Sequence, residues 1–454
     1  MADGMAVSQL REGTPFRLRA SGLAGTVGAL IGAGGQGAAY HASIGGKPFV
    51  LKWYHPHVLE ADTRLPGRIA RAVERGSPDP RFLWPIDLVE VSGREGLGHL
   101  MALRPPRFRG LRDLIAAPPA RIDPPLVVRA RTCLSLAESF LHLHAKGLCY
   151  QDINFGAVFI EPSSGEICIC DNDNVDVNGA PASVYGTKKF MAPEIVRGER
   201  MPDAGTDLYS MAVMFFYVLH AWHPLEGRAE YEVALMDAEE EMRLYGTQPR
   251  FMFDPADASN GPVAGFHDAI VRRWRSLSEG VRRLFVQAFT AGLRPGPAGR
   301  VIETQWRAAL ARMADSILAC PACGYEHALD AEDADPDPRR FACVACGAEV
   351  PLPPRLLLGR DAVVLCQGAQ LHAHHLDPAR PFVYGEPLAR VEAHPADPAV
   401  TGLRNLTADT WTSRLPDGTG AAVPPGRTIR LVDGLEVDFG RRRGTVAAGQ
   451  SPTR

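Results

Sequence analysis

Gly32, Gly34 and Gly37 stand in a Gly-x-Gly-x-x-Gly spacing, and Lys52 follows at the end of the β-like run Phe49-Val50-Leu51-Lys52-Trp53. Glycines so spaced let backbone amides close over phosphate groups, because no Cβ stands between main chain and anion. The spacing also suits dinucleotide-binding folds, where the glycines open a helix. Here Ala38 to Ala42 run on to Gly45-Gly46-Lys47, a turn signal, so the predicted element is a hairpin. A lysine on its next strand can then reach the phosphates. Far downstream, Cys320-Pro-Ala-Cys323-Gly and Cys343-Val-Ala-Cys346-Gly form two Cys-x-x-Cys turns with 19 residues between them. Each turn presents two thiolates, and its glycine permits the tight reversal. That is the pattern of a closed structural zinc site; free buried thiols or redox pairs are the alternatives.

Between these sites lie further motifs in a fixed order: Asp152 in Tyr150-Gln151-Asp152, Asp171 in Asp171-Asn172-Asp173, Gly186-Thr187, Ala192-Pro193-Glu194, Asp207 and Arg300. With the glycines and Lys52, the series resembles the eukaryotic-type (Hanks-type) Ser/Thr protein kinases of bacteria. The resemblance implies an α+β bilobal fold and the cofactors ATP and Mg2+ or Mn2+. It makes Asp152 the base that orients the substrate hydroxyl, Lys52 the ligand of the α- and β-phosphates, and Asp171 the magnesium ligand. Met101 and Leu103, where a strand near His99 to Leu103 leads into the hinge, would face adenine. Asp207 would hold the backbone of the catalytic loop, Arg300 would pair with Glu194, and Thr187 would bond toward Asp152, a threonine that favours Ser/Thr specificity.

Several positions depart from that pattern. Ala157 stands where the family places a magnesium-binding Asn, and Gln151 replaces the arginine that answers a phosphorylated activation loop, removing the partner for phosphate at Ser183. Aligning Arg68 to Val73 with the helix whose glutamate holds the lysine puts Pro66 or Gly67 at the glutamate position, leaving Glu60 and Glu74 as poor substitutes. Polar Asn172 needs partners if it is buried. Asp173 or Asn154 is expected to approach the metal and offset Ala157. The implied activity is transfer of the ATP γ-phosphate to Ser/Thr hydroxyls, slowed by Ala157; the competing reading is a pseudokinase that binds nucleotide as a scaffold or regulator.

Elements of the right kind surround these residues. Apolar residues at helical spacing from Pro125 to His144 predict the long helix before the catalytic loop, and Met211 to Leu219 a buried helix too short to span a bilayer. At 454 residues the chain is too long for one core, and 46% hydrophobic against 22% charged residues make it globular rather than disordered. Forty-nine basic against 52 acidic residues give no electrostatic case for nucleic acid or an anionic membrane. The first residues lack the apolar stretch of a signal peptide, so a cytoplasmic, reducing setting without disulfides is expected.

The expected divisions are a disordered 1–14, a kinase domain 15–316 (lobes 15–103 and 104–316), a zinc ribbon 317–352, a β-sandwich 353–442 and a disordered tail 443–454. Short β-like runs and Gly/Pro turns carry the sandwich. Its Gly402-Leu403-Arg404-Asn405-Leu406-Thr407 and Val437-Asp438-Phe439-Gly440 resemble a divergent forkhead-associated domain, without the phosphothreonine-reading Ser-x-x-His after Arg360. The domain is expected to dock a protein substrate or signalling partner. His372, His374 and His375 read as a polar turn with no carboxylate joining them, and Arg441 to Arg443 as a solvated tail.

Overall fold

The computed structural model describes residues 10–180, 185–294, 299–329 and 340–447. Ser183 and most of the two predicted disordered termini lie outside these residues.

Chain contacts divide the protein into two compact units. The first (1–124, 135–263 and 285–304) opens with six antiparallel strands: β1 Pro15–Leu18, β2 Ala24–Ala33, β3 Gly37–Ile44, β4 Lys47–Tyr54, β5 Asp87–Glu90 and β6 Gly98–Ala102. They close in the order β1-β2-β3-β4-β6-β5. Gly45 and Gly46 both take positive φ, the conformation a two-residue hairpin loop demands, and this fixes Ala39 opposite Lys52. Alternate side chains (Ala38, Tyr40, Leu51, Trp53, Leu100) fill the barrel. Leu10 joins that core and its N–H donates to the Tyr40 hydroxyl at 3.0 Å, so residues 10–14 are ordered, unlike the disordered start expected.

Two helices follow β4: α1 Pro56–Ala61 and α2 Leu65–Arg75. Beyond the barrel come α3 Leu126–Ala145, the hairpin Val158–Ile160/Ile167–Ile169, the short α4 Pro193–Val196 and α5 Ala204–His220. Asp203 caps α5 through a reciprocal box with Thr206, and most of this helix is buried, because apolar residues cover its whole circumference. No helix among the described residues is long and apolar enough to cross a membrane.

The second unit (125–134, 264–284 and 305–454) departs from the boundary expected at 316. Helical segments belong with the C-terminal part because specific contacts tie them: the Leu126 N–H donates to Glu326, Arg131 donates to His372 at 3.0 Å, and Arg307 lies over the Phe382 ring. Two hairpins, Ile317–Ala319/Glu326–Ala328 and Arg340–Ala342/Glu349–Pro351, carry the four cysteines. Beyond them, a six-stranded and a four-stranded antiparallel sheet share one core of Leu356, Leu403, Trp411, Leu435 and Val437. The expectation of a disordered tail from residue 443 is corrected here. Arg443–Ala447 is a strand between Arg355–Leu358 and Glu436–Asp438, and Val446 points into the core. Arg442 pairs with Asp361 at 2.7 Å, and Arg441 with Asp377 at 2.9 Å, so the basic run is anchored by carboxylates rather than left as a solvated tail.

Candidate active site

Lys52 sits on β4 with its ammonium group buried in a polar cluster. Its Nζ lies 2.7 Å from Asp173 Oδ2, 3.2 Å from Gln36 Oε1 and 3.5 Å from Asp171 Oδ1. The lysine therefore has a carboxylate partner, but not from the helix: Glu60 and Glu74 are both exposed. Asp173 supplies it. The Tyr54 hydroxyl donates to the same Asp173 oxygen at 2.7 Å, which leaves the His99 Nδ1–H to donate to Tyr54 at 3.0 Å. Burial alone would raise the Asp173 carboxyl, but the Lys52 ammonium and the Tyr54 bond hold it well below the usual carboxylate range. Burial likewise pushes His99 down to about 4, so its ring is neutral. Lys52 would be lowered by burial, yet Asp173 and Asp171 raise it.

Asp171 follows the strand Ile167–Ile169 and takes a left-handed backbone (φ 49°), which turns the chain into the helical turn Asn172–Asn174. Its side chain is 49% exposed. Burial and the charge of Asp173 push its carboxyl up against the opposing pull of Lys52, and the charge of Asp152 also reaches it. Asn172 is buried, and its Nδ2 donates to the carbonyls of Leu83 at 2.9 Å and Ile169 at 3.1 Å.

The glycine turn between β2 and β3 holds Gly34 to Gln36. Gly37 must be glycine, because a Cβ there would stand 2.3 Å from the Trp53 carbonyl; Gly32 and Gly34 face open space. His55 and His57 donate to the carbonyls of Gly34 and Gly35 at 3.0 and 3.2 Å. On β6, Met101 pairs with Val50 as His99 pairs with Lys52, so Met101 shares the face of Lys52. Leu103 lies just past the strand, half-buried.

Asp152 stands in a loop whose backbone is held by α5. Asp207 accepts the N–H groups of Tyr150 at 2.5 Å and Gln151 at 3.0 Å, and Gln151 takes φ 73° at this bend. Thr187 Oγ1 donates to Asp152 Oδ1 at 2.9 Å. Asn154 and Asp173, expected to approach the metal, both have other partners here. Asn154 donates to the Asp152 carbonyl and accepts the Gly156 N–H, which closes its own loop, while Asp173 faces Lys52. Ala157 is buried and offers no ligand. Glu194 and Arg300 pair at 2.7 and 2.8 Å in full burial, with the guanidinium over the Tyr209 ring.

His144 of α3 was missed by the sequence reading. Its Nε2 lies 3.1 Å from Asp207 Oδ2 and its Nδ1 contacts Glu303, so both nitrogens face carboxylates and both must donate. Burial alone would lower this group, but the bonds to Asp207 and Glu303 raise it to about 9. Asp173 was legible only in part: the missing helix glutamate and a spare carboxylate two residues after Asp171 are complementary signals.

The four cysteine sulfurs form one cluster, with Cys320 Sγ and Cys346 Sγ 3.8 Å apart and Cys323 Sγ and Cys343 Sγ 3.6 Å apart. A tetrahedral zinc with bonds of about 2.3 Å needs sulfur separations of about 3.8 Å, so the cluster fits that ion. A second cluster, Asp315 with His374 and His375, supplies the carboxylate that the sequence did not show. It does not have the donor set of a metal site. His375 Nδ1 accepts the His372 N–H at 2.7 Å and His374 Nδ1 accepts the Phe382 N–H at 2.9 Å. Each Nε2 must therefore carry the proton, and His375 donates it to Asp315 at 2.9 Å. Asn405 of the Gly402 to Thr407 run is fully buried, bonded to the carbonyls of Asp409 and Val423 and to Thr407, so it braces a loop.

Comparison with known proteins agrees with this geometry. Residues 126–286 match the protein kinase domain family. A probable serine/threonine-protein kinase of Corynebacterium efficiens is 23% identical over 228 residues, covering 47% of this chain and 33% of that protein. The protein kinase MCK1 of Saccharomyces cerevisiae is 25% identical over 132 residues, 28% of this chain and 34% of the relative. The chain spans about a third of the length of these curated relatives. The likeness to protein kinases thus rests on residues 126–286 and on partial stretches of these relatives.

Proposed function

We propose that the protein is an ATP-dependent Ser/Thr protein kinase whose metal site is reduced to one side-chain ligand. The observation that carries this reading is the convergence of Lys52, Asp171 and the Asp152 loop: Lys52 reaches Asp171 at 3.5 Å, and the Cys170 N–H, just before Asp171, donates to the Ala157 carbonyl at the end of that loop at 2.7 Å. Magnesium binds few protein ligands and retains several waters, so a half-exposed Asp171 with water at the position left by Ala157 suits it. When bound, the metal would neutralise the charge developing on the phosphates.

The chain's own residues do the rest. Lys52 holds the α- and β-phosphates while the amides of the Gly34 to Gly37 turn cover them, and Met101 and Leu103 line the adenine side. Asp152, kept in place by Asp207 through the loop backbone and bonded to Thr187, accepts the proton of the substrate hydroxyl. The hydroxyl oxygen forms a bond to the γ-phosphorus as the bond from phosphorus to the β-bridging oxygen breaks, and the leaving electron pair stays on ADP. The zinc ribbon is a structural site of four cysteines, and the sandwich beside it in sequence, forkhead-associated in character, docks the protein substrate or signalling partner.

Ala157 favours a second reading, a nucleotide-binding pseudokinase that acts as a scaffold. The test is transfer of labelled γ-phosphate from ATP, with Mg2+ or Mn2+, to the protein itself and to a general protein substrate, beside D152N. Label lost in D152N supports the kinase. Equal background in both, with ATP still raising the melting temperature, supports the scaffold.

A further inference from the structure

The helix that packs beside Lys52 brings no carboxylate to it, yet the ammonium is not alone. Across α2 the side chains that reach inward are Leu65, Arg68, Ile69 and Ala72. Arg68 has the opposite charge to the one a lysine needs, and it is used differently: its Nε donates to the backbone carbonyl of Asp173 at 2.7 Å, and its Nη2 pairs with Asp62 at 2.8 Å. The helix therefore grips the main chain of the Asn172–Asn174 turn, and the turn presents the carboxylate.

We propose that Asp173 is the positioning residue for Lys52, taking from the turn after Asp171 the part that a helix glutamate plays in the kinases this domain resembles. The proposal rests on the reading of this cleft as a nucleotide site. Three observations converge on it. Asp173 Oδ2 is 2.7 Å from Lys52 Nζ, nearer than either other partner of that nitrogen. The Asp173 side chain is 2% exposed, so its charge is little screened. Tyr54, itself braced by His99, donates to the same oxygen and fixes where it points.

A consequence follows for how the site is assembled. In the arrangement implied by the family, lysine and metal carboxylate are set by two separate elements that must come together. Here Asp171 and Asp173 are two residues apart on one turn, so a single backbone arrangement places both. A change in α2 can reach Lys52 through the Arg68 bond to the Asp173 carbonyl and through Leu65 and Ile69, which pack with Tyr54. Asp173 also has a second carboxylate oxygen, buried and without a hydrogen-bond partner.

The experiment measures Lys52 directly and then transfer. A small activated ester acetylates neutral amines, and mass spectrometry reads Lys52 against the exposed Lys47 in the same molecule at pH 9. In the wild-type protein Lys52 reacts at least tenfold more slowly than Lys47, and in D173N its rate rises at least tenfold while that of Lys47 is unchanged. A buried lysine left with only the more distant, half-exposed Asp171 as counter-ion would lose its proton more easily. Wild-type Lys52 reacting as fast as Lys47, or a folded D173N with unaltered Lys52, would overturn the proposal; the wild-type comparison stands even if D173N does not fold. In transfer assays D173N lowers kcat about 100-fold with a smaller change in the KM for ATP. Wild-type protein that transfers no phosphate would remove the kinase reading and leave the acetylation result to decide the role of Asp173.

Discussion

His144 should make the stability of the first unit depend on pH in a predictable direction. Its two nitrogens meet Asp207 and Glu303, and the group is held near 9 against an ordinary 6.5. That difference corresponds to about 3 kcal/mol of stability at most. The folded value lies above the unfolded one, so the contribution is complete below about 6.5 and is lost as pH rises through about 9. The lowered Glu303 carboxyl is the same interaction seen from its partner and adds nothing further. Urea unfolding at pH 6 and pH 9.5, on wild type and H144Q, measures the effect. Wild type should lose stability by an amount of that order between the two values, and H144Q should lose much less. Because Asp207 also holds the amides of Tyr150 and Gln151, the Asp152 loop should become easier to exchange with deuterium at the higher pH in wild type. Equal pH dependence in both proteins would refute the argument that this imidazolium is paired on both sides.

Three other outcomes are open to measurement. Purified protein should contain one equivalent of zinc, released when thiolates are titrated with a mercurial, and C343S should lose most of it and unfold its second unit at lower temperature. E194A strands the buried guanidinium of Arg300 and should cost about 3 to 5 kcal/mol in chemical denaturation, whereas an exposed pair such as Arg107 with Glu166 should cost less than about 1. A157N restores a metal ligand worth about 2 to 4 kcal/mol in the transition state and should raise transfer at least 30-fold; an unchanged rate in a folded variant would mean that water serves as well.

The parts of the candidate site that could be read from the chain are those whose chemistry is fixed by neighbours in sequence. Gly37 is demanded by the strand it closes on, Asp171 by the end of a short apolar strand, and Asp207 by the first turn of a capped helix. Each carries its position in a local pattern. The partner of Lys52 has no such pattern, because a carboxylate 121 residues away can meet an ammonium only after the lobes have formed. Composition of the helix could say that a glutamate was missing. It could not say that the third residue of Asp171-Asn172-Asp173 would turn inward instead of toward a metal, since that choice depends on Arg68 holding the main chain of the turn.

The C-terminal half shows the same division from the other side. Two Cys-x-x-Cys turns were legible because each is a local knuckle: Gly324 and Gly347 take φ 75° and 74°, and each donates its N–H to the carbonyl of the first cysteine of its turn at 2.8 Å. The last strand, Arg443–Ala447, was not, since Arg441 to Arg443 gave it the look of a tail; the strand Ala389–His394 carries an arginine too, Arg390. Their charges are tolerated because the strands alternate. Val391 and Val446 enter the core while the arginines stand outside it, and Arg442 and Arg443 find carboxylates at Asp361 and Asp438. A charged run therefore marks a tail only when nothing downstream supplies the alternating apolar residue, and here Val446 does.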